Sequence, residues 1–172
     1  VGRDLVHEQS TGFALAAEKE SLFSIFTDSF GETGFHLDFS SDVKGVEILS
    51  ILKNIYAIIM GIVDAHFDSV NLRFLVMTRA FNEMREIMMQ FGGKERTMFH
   101  YCGFGDFSLT ALNDLSRNRT LGLLIGKGFF VKDISDKVIL EGKMAVNVFY
   151  DELSKASSME NYPMLHELFK VF

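Results

Sequence analysis

Two short polar segments in an otherwise apolar chain carry the residue types that could do chemistry: Ser116-Arg117-Asn118-Arg119, and Lys53-Asn54 within the run ILKNIYAII. A serine ahead of a helical run is an N-cap, and a capped helix start offers unpaired backbone N–H groups at the positive end of the helix dipole. An arginine fork in the same turn completes a site for a phosphate. A capped surface helix with solvated arginines has the same sequence, so the residues alone leave both readings open. Lys53 has Leu49, Tyr56 and Ala57 one helical turn away, with Val46 and Met60 on the same stripe, so its ammonium is expected to point inward. An inward ammonium is costly unless a carboxylate or ligand meets it, and desolvation eases deprotonation, as general acid/base work requires. The alternative is a lysine whose stem lies on apolar surface while its head reaches water. Asn54 reads equally as a helix-face amide bonded to a loop. Asp106, in Gly103-Phe-Gly-Asp106, is a carboxylate where the backbone can approach another group closely, or else a cap for the helix from Phe107. Thr110 falls one turn later on the same side. Lys53 and Asp106 are expected to approach each other, because each otherwise leaves a partly buried charge uncompensated.

The elements that must position these residues are mostly helices. Phe13 to Ala17 reads as a buried strand, Glu18 to Phe30 has Leu22, Phe23, Ile25, Phe26 and Phe30 at helical spacing, and Phe35 to Phe39 alternates like a half-buried strand. This is a βαβ pattern whose two strands do not make a stable sheet alone. A start at Val1 without Met, with a polar lead, reads as a chain that begins partway through something larger. From Val43 helices are expected over residues 48–67, 71–91 and 94–101, and after the glycine segment from Arg117 to Gly126, capped by Ser116. Then come a short apolar segment Val138 to Leu140, a helix from Met144 to about Lys155, and a last helix entered through Pro163. The second long helix should turn Phe74, Leu75, Met77, Phe81, Met84, Ile87 and Met88 inward and stop at Gly92-Gly93. Met84, Met88 and Met89 read as core filling, and Arg73, Arg79, Arg85 and Arg96 as solvated charges.

Composition bounds what these elements serve. With 172 residues, 48% of them hydrophobic and 23% charged, the chain supports one main core. A net charge of -6 argues against a nucleic-acid surface. One cysteine, Cys102, excludes an internal disulfide and suits a reducing cytoplasm. Neither it nor the five histidines show metal-ligand spacing, and His100 alone lies near the candidate site in sequence. No secretory pattern opens the chain, and the run from Ile55 to Val63 is short of the ~20 apolar residues of a membrane span, so no transmembrane segment is expected.

The blocks LKNIYAIIMGIVDAHFDSVN, FGGKERTMFHYCGFGD and SLTALNDLSRNRTLGLLIGKG, with Glu141-Gly142 and Tyr162-Pro163-Met164 downstream, closely resemble the C-terminal half of bacterial-type NAD(P)-dependent glycerol-3-phosphate dehydrogenase, over about Phe13 to Phe172. The resemblance implies a mainly α fold: a helical C-terminal dehydrogenase domain, 6-phosphogluconate dehydrogenase C-terminal-like, at 43–172, after a short βαβ remnant of a Rossmann-type dinucleotide sheet at 1–42. It implies NAD or NADP as cofactor and glycerol 3-phosphate and dihydroxyacetone phosphate as substrates. By resemblance Lys53 and Asp106 are catalytic, Asn54, Thr110, Ser116, Arg117 and Asn118 hold the substrate, and Arg117, Ile139 and Glu141 touch the dinucleotide. A homodimer is left open. The chain departs from the resemblance at Ser50 and Ile51, where the family usually has glycine or alanine, and at Ala65 and Ser69, where it has glycine. No GxGxxG follows a strand, and the family's other substrate lysine belongs to the N-terminal dinucleotide domain. The chain alone is therefore expected to be inactive. Two other readings are a non-catalytic module for a phosphorylated ligand or a subunit, and a related dehydrogenase of a 2-hydroxy acid or alcohol.

Overall fold

The structure is a computed structural model that describes residues 10–31, 33–129 and 136–172, with backbone alone for 136–140. Its residues cluster into two compact units. One comprises Val1–Ser50 and Met88–Asp106 and the other Ile51–Ile87 and Phe107–Phe172, as far as the described residues go.

Within the first unit, residues 11–40 form the expected βαβ. Strand β1 (Thr11–Ala16) and strand β2 (Phe35–Ser40) pair in parallel, Thr11 opposite Phe35 and Ala16 opposite Ser40, and helix α1 (Ser21–Phe30) connects them. Alternation along β2 turns Phe35, Leu37 and Phe39 to one side. Phe35 meets Phe13 and Phe30 at ring separations of 5.1 and 5.3 Å, and Phe39 meets Phe23 at 5.1 Å. No residue of α1 is fully buried. Helix α2 (Val43–His66) starts in this unit, with Asp42 as its cap: Asp42 Oδ1 accepts from Gly45 N at 3.0 Å. The other oxygen, Oδ2, accepts from Lys94 N at 2.7 Å and Thr97 Oγ1 at 2.6 Å, tying the helix start to the segment after helix α3 (Val70–Gln90). That segment begins at Gly92, whose φ of 86° closes α3, with Gly93 N returning to Met88 O.

The second unit holds most of the core. Leu52, Ile55, Tyr56, Ala57, Ile58 and Met60 of α2 are fully buried, as are Ala80, Met84 and Ile87 of α3. By length and composition α2 would span a bilayer, yet these buried residues are those of a core helix. Helices α4 (Asp106–Leu112), α5 (Arg117–Gly126), α6 (Asp136–Ala156) and α7 (Pro163–Val171) follow. Pro163 occupies the first turn of α7, as expected, and Glu83 of α3 serves that helix start from a distance. Its Oε1 accepts from Leu165 N at 2.8 Å and from Tyr56 Oη at 2.7 Å, and its Oε2 from Met164 N at 3.0 Å.

Four local expectations are corrected. Val138 to Leu140 is no separate segment but part of the continuous helix α6. The residues before Asp106 are no open loop: a 3₁₀ turn (Glu95–Phe99) and a π-helical turn (Tyr101–Gly105) run straight into α4. Phe74 and Leu75 are exposed rather than inward, and Met89 is exposed while Met84 and Met88 are core. Arg73 is not a solvated charge, since its Nε donates to Asp64 Oδ1 at 2.6 Å.

Candidate functional site

Ser116 caps α5 as its position requires. Its backbone is extended, and its Oγ accepts from Arg119 N at 3.3 Å. Arg117 is exposed in the first turn, so its guanidinium is presented outward beside the unpaired N–H groups of the helix start. Asn118 is half-buried and donates through Nδ2 to Asn54 Oδ1 at 3.0 Å. The two polar segments that stood 64 residues apart are thus joined directly, and Asn54 is bonded to a helix start rather than a loop.

Arg119, by contrast, faces inward at 8% exposure. Its Nε and Nη2 both donate to Asp64 Oδ2, at 3.2 and 2.7 Å, and its Nη1 to Asp114 Oδ1 at 2.5 Å. Sequence reading treated the SRNR run as one anion site and did not find this division. The signal was available: residues two apart on a helix are about 200° apart, so an inward Arg119 puts Arg117 outward.

The backing of α5 is backbone against backbone. A Cβ on Gly122 would stand 1.9 Å from Ile58 O, one on Gly61 2.1 Å from Arg119 O, and one on Gly126 2.6 Å from Ala65 Cβ. Ala65 fits against α5 because the residue that opposes it is Gly126.

Lys53 is half-buried on α2, and Leu49, Tyr56, Ala57 and Met60 around it are fully buried, which is the stripe expected from the wheel. Thr110 and Asp106 are both half-buried on α4, one turn apart. Asp106 is helical rather than a cap, with φ -72° and ψ -34°. It is the last residue of the first unit, whereas Lys53, Asn54, Thr110, Ser116, Arg117, Asn118 and Glu141 belong to the second. The glycines before Asp106 serve close approach. A Cβ on Gly103 would meet Met98 O at 2.2 Å and one on Gly105 the Tyr101 ring at 2.7 Å. Asp38 of β2 anchors this turn, accepting from Tyr101 N at 2.6 Å through Oδ2, with its Oδ1 3.1 Å from His100 Nδ1. Alternation over Phe35 to Phe39 marks Asp38 as a polar place on the strand but does not reveal the turn it anchors. Burial first, then the charges of Asp38 and Asp106, pushes the Cys102 thiol up to about 11, so it stays protonated and is no nucleophile. Glu141 is exposed on α6, and the side chain of Ile139 lies outside the described residues.

The model of the NAD-dependent glycerol-3-phosphate dehydrogenase C-terminus matches residues 42–172. The chain belongs to this family. Its curated relatives include glycerol-3-phosphate dehydrogenase [NAD(P)+] of Teredinibacter turnerae, 32% identical over 98% of this chain and 50% of that protein. The Methanothermobacter thermautotrophicus protein of the same name is 50% identical over 53% of the chain and 28% of its own length. The crystal structure of glycerol-3-phosphate dehydrogenase from Coxiella burnetii superposes with a TM-score of 0.81 at 26% identity, over 98% of this chain and 53% of that one. The chain spans about half the length of these full-length relatives or less, and the mainly helical fold with a small parallel sheet is the one they share.

Proposed function

We propose that this chain is the substrate-holding half of an enzyme that interconverts glycerol 3-phosphate and dihydroxyacetone phosphate with NAD or NADP. The observation that carries the reading is the bond from Asn118 to Asn54. It places the anion-receptive helix start of α5 beside the segment that bears Lys53, on one rigid pair of helices. In this reading Ser116, Arg117 and Asn118 take the substrate phosphate, with the arginine fork supplying charge and the first-turn N–H groups direction. Asn54 and Thr110 offer polar contacts to the carbon chain. Lys53 takes the C2 hydroxyl proton on oxidation and returns it to the ketone oxygen on reduction.

The dinucleotide supplies the hydride acceptor or donor at C2. Arg117 and Glu141 are both exposed and fit contact with one edge of such a cofactor, whereas no GxGxxG turn follows a strand here to cradle its pyrophosphate. The dinucleotide domain of the longer relatives would supply that cradle. The aromatic face of β1, β2 and α1, with Phe13, Phe26, Phe30, Phe35 and Leu37 around an open cleft of about 310 Å³, is apolar surface suited to cover by further sheet strands. This supports reading the first unit as the end of that domain's sheet.

Titration of the chain with glycerol 3-phosphate, followed by amide chemical shifts, tests the reading. Shifts are expected at Asn54, Thr110 and Ser116 to Arg119, with Arg117→Ala weakening binding by about 1.5 to 3 kcal/mol, the range of a charge-assisted contact. Shifts centred on Arg79 and Arg85 would reject the site.

A further inference from the structure

Helices α2 and α5 touch through matched pairs that advance together: Asn54 with Asn118, Ile58 with Gly122, and Ile62 with Gly126. They therefore run in the same direction, each step about one turn on. Glycine contacts of this kind allow close approach but are smooth, and apolar contact alone does not fix how far one helix slides or rolls on the other. Directional contacts are needed for that: the Asn118–Asn54 bond is one, and the buried ion pair is the charged one. Asp64 Oδ2 receives two N–H donors of the Arg119 fork while Oδ1 receives Arg73, and the Asp64 side chain is only 3% exposed. Arg119 is also the residue whose N–H closes the Ser116 cap.

We infer that the Arg119–Asp64 pair is a positioning device that sets the register of α5 on α2, and through it the placement of Arg117 and Asn118 for the substrate phosphate. Neither residue touches the phosphate. The inference rests on the phosphate reading for its consequence, while its structural content, the register of α5, stands apart from it. A bidentate fork restricts both distance and angle, which a lysine in its place would not. Asp114 contributes little to this device, because its side chain is 90% exposed and a pair with so exposed a partner is weak.

The test uses the 172-residue chain with Asp64→Asn, Arg119→Lys, Asp114→Asn and the double replacement Asp64→Leu with Arg119→Met. The double variant keeps about the same volume and removes the charges of the pair, while Arg73, whose side chain is 29% exposed, can turn its charge to water; such replacements of a buried pair are often neutral or stabilising. Two readouts are taken: the side-chain amide resonances of Asn118, which report its bond to Asn54, and the dissociation constant for glycerol 3-phosphate. In Asp64→Asn and in the double variant the Asn118 amide resonances are expected to move toward those of a solvated amide, and the dissociation constant to rise about tenfold, the effect of misplacing a charge-assisted contact. Arg119→Lys should fall between these and the parent, and Asp114→Asn should stay within about twofold of it. A folded double variant with unshifted Asn118 resonances and parental affinity overturns the inference, even if Asp64→Asn fails to fold. If the parent chain does not bind glycerol 3-phosphate, the phosphate reading fails, and the Asn118 resonances of the variants still decide whether the pair sets the register.

Discussion

The two compact units both bury carboxylates against neutral donors, and only the helical unit, among the described residues, also buries one against guanidiniums. In the strand unit Asp42 is met by neutral donors alone, two backbone N–H groups and the Thr97 hydroxyl, at a helix start that adds its own positive potential. In the helical unit Asp64 is met by two guanidiniums, and Glu83 by a phenol and two amides from a helix start distant in sequence. The strand unit is otherwise thinly packed, with an aromatic face left uncovered and a helix without a fully buried residue. The helical unit is dry at its centre and carries nearly all of the substrate candidates. The difference teaches where rigidity is placed. Both units use anchors distant in sequence, since Asp42 reaches Lys94 and Thr97; what is particular to the helical unit is a guanidinium–carboxylate pair, Arg119 with Asp64, at the helix start that carries Arg117 and Asn118.

The largest expected effect comes from Glu83. Glu83→Ala strips the acceptor from two α7 amides and from Tyr56 Oη, which is fully buried. Burial first, then the Glu83 charge, pushes the Tyr56 phenol well above its ordinary value, so it remains a donor that needs an acceptor. Losing a charged acceptor for three groups should cost about 3 to 4 kcal/mol, read as a shift of the urea midpoint of the helical unit. A loss below about 1 kcal/mol would mean that water replaces the carboxylate there, and the contrast between units would weaken.

Asp42 should matter less and should show its effect through pH. Burial raises its pKa, but the hydrogen bonds from Thr97, Lys94 and Gly45 outweigh that, so its folded value lies below the ordinary 3.8. A carboxylate with a depressed folded pKa adds stability that is fully present above the unfolded value and is lost as pH falls through the folded one. Asp42→Asn should therefore cost about 1 to 2 kcal/mol at neutral pH, and the difference from the parent should shrink only below 3.8. Urea unfolding at a series of pH values checks this. A difference that grows on acidification would contradict the sign.

Much of this was legible because the signals are local. Gly92-Gly93 stops α3 through a positive φ, Ser116 starts α5 through its own hydroxyl, and alternation marks β2 without help from the rest of the chain. The Lys53 stripe was legible for the same reason, since the wheel around it follows from the helix alone. What was missed depends on distant partners. Arg73 reads as a surface charge until Asp64 turns it inward, and at the same end of α3 Phe74 and Leu75 are left exposed because the core ends near Met77. Glu83 sat within the stripe Ala80, Met84, Ile87, so its burial could have been inferred, but its partners in α7 could not. Val138 and Ile139 are β-branched and Leu140 apolar, and only the continuity of α6 overrides that local preference.

The smallest expected effect sharpens the comparison from the side of the strand unit. Ile25 of α1 is 59% exposed, and a serine there gives up little buried area. Phe23, two residues away and so on the other side of the same helix, instead packs its ring 5.1 Å from that of Phe39. Ile25→Ser should change the stability of this chain by no more than about 0.5 kcal/mol, as exposed substitutions do, whereas Phe23→Ala removes an aromatic contact and should cost about 2 kcal/mol. Thermal or urea unfolding of the two variants measures both. Equal and small losses would show that α1 contributes nothing to the folded unit, so that its aromatic contacts with the strands carry no stability. A loss above about 1 kcal/mol for Ile25→Ser would show that something covers that face in solution, and the asymmetry between a dry helical unit and an uncovered strand unit would then not hold for the chain by itself.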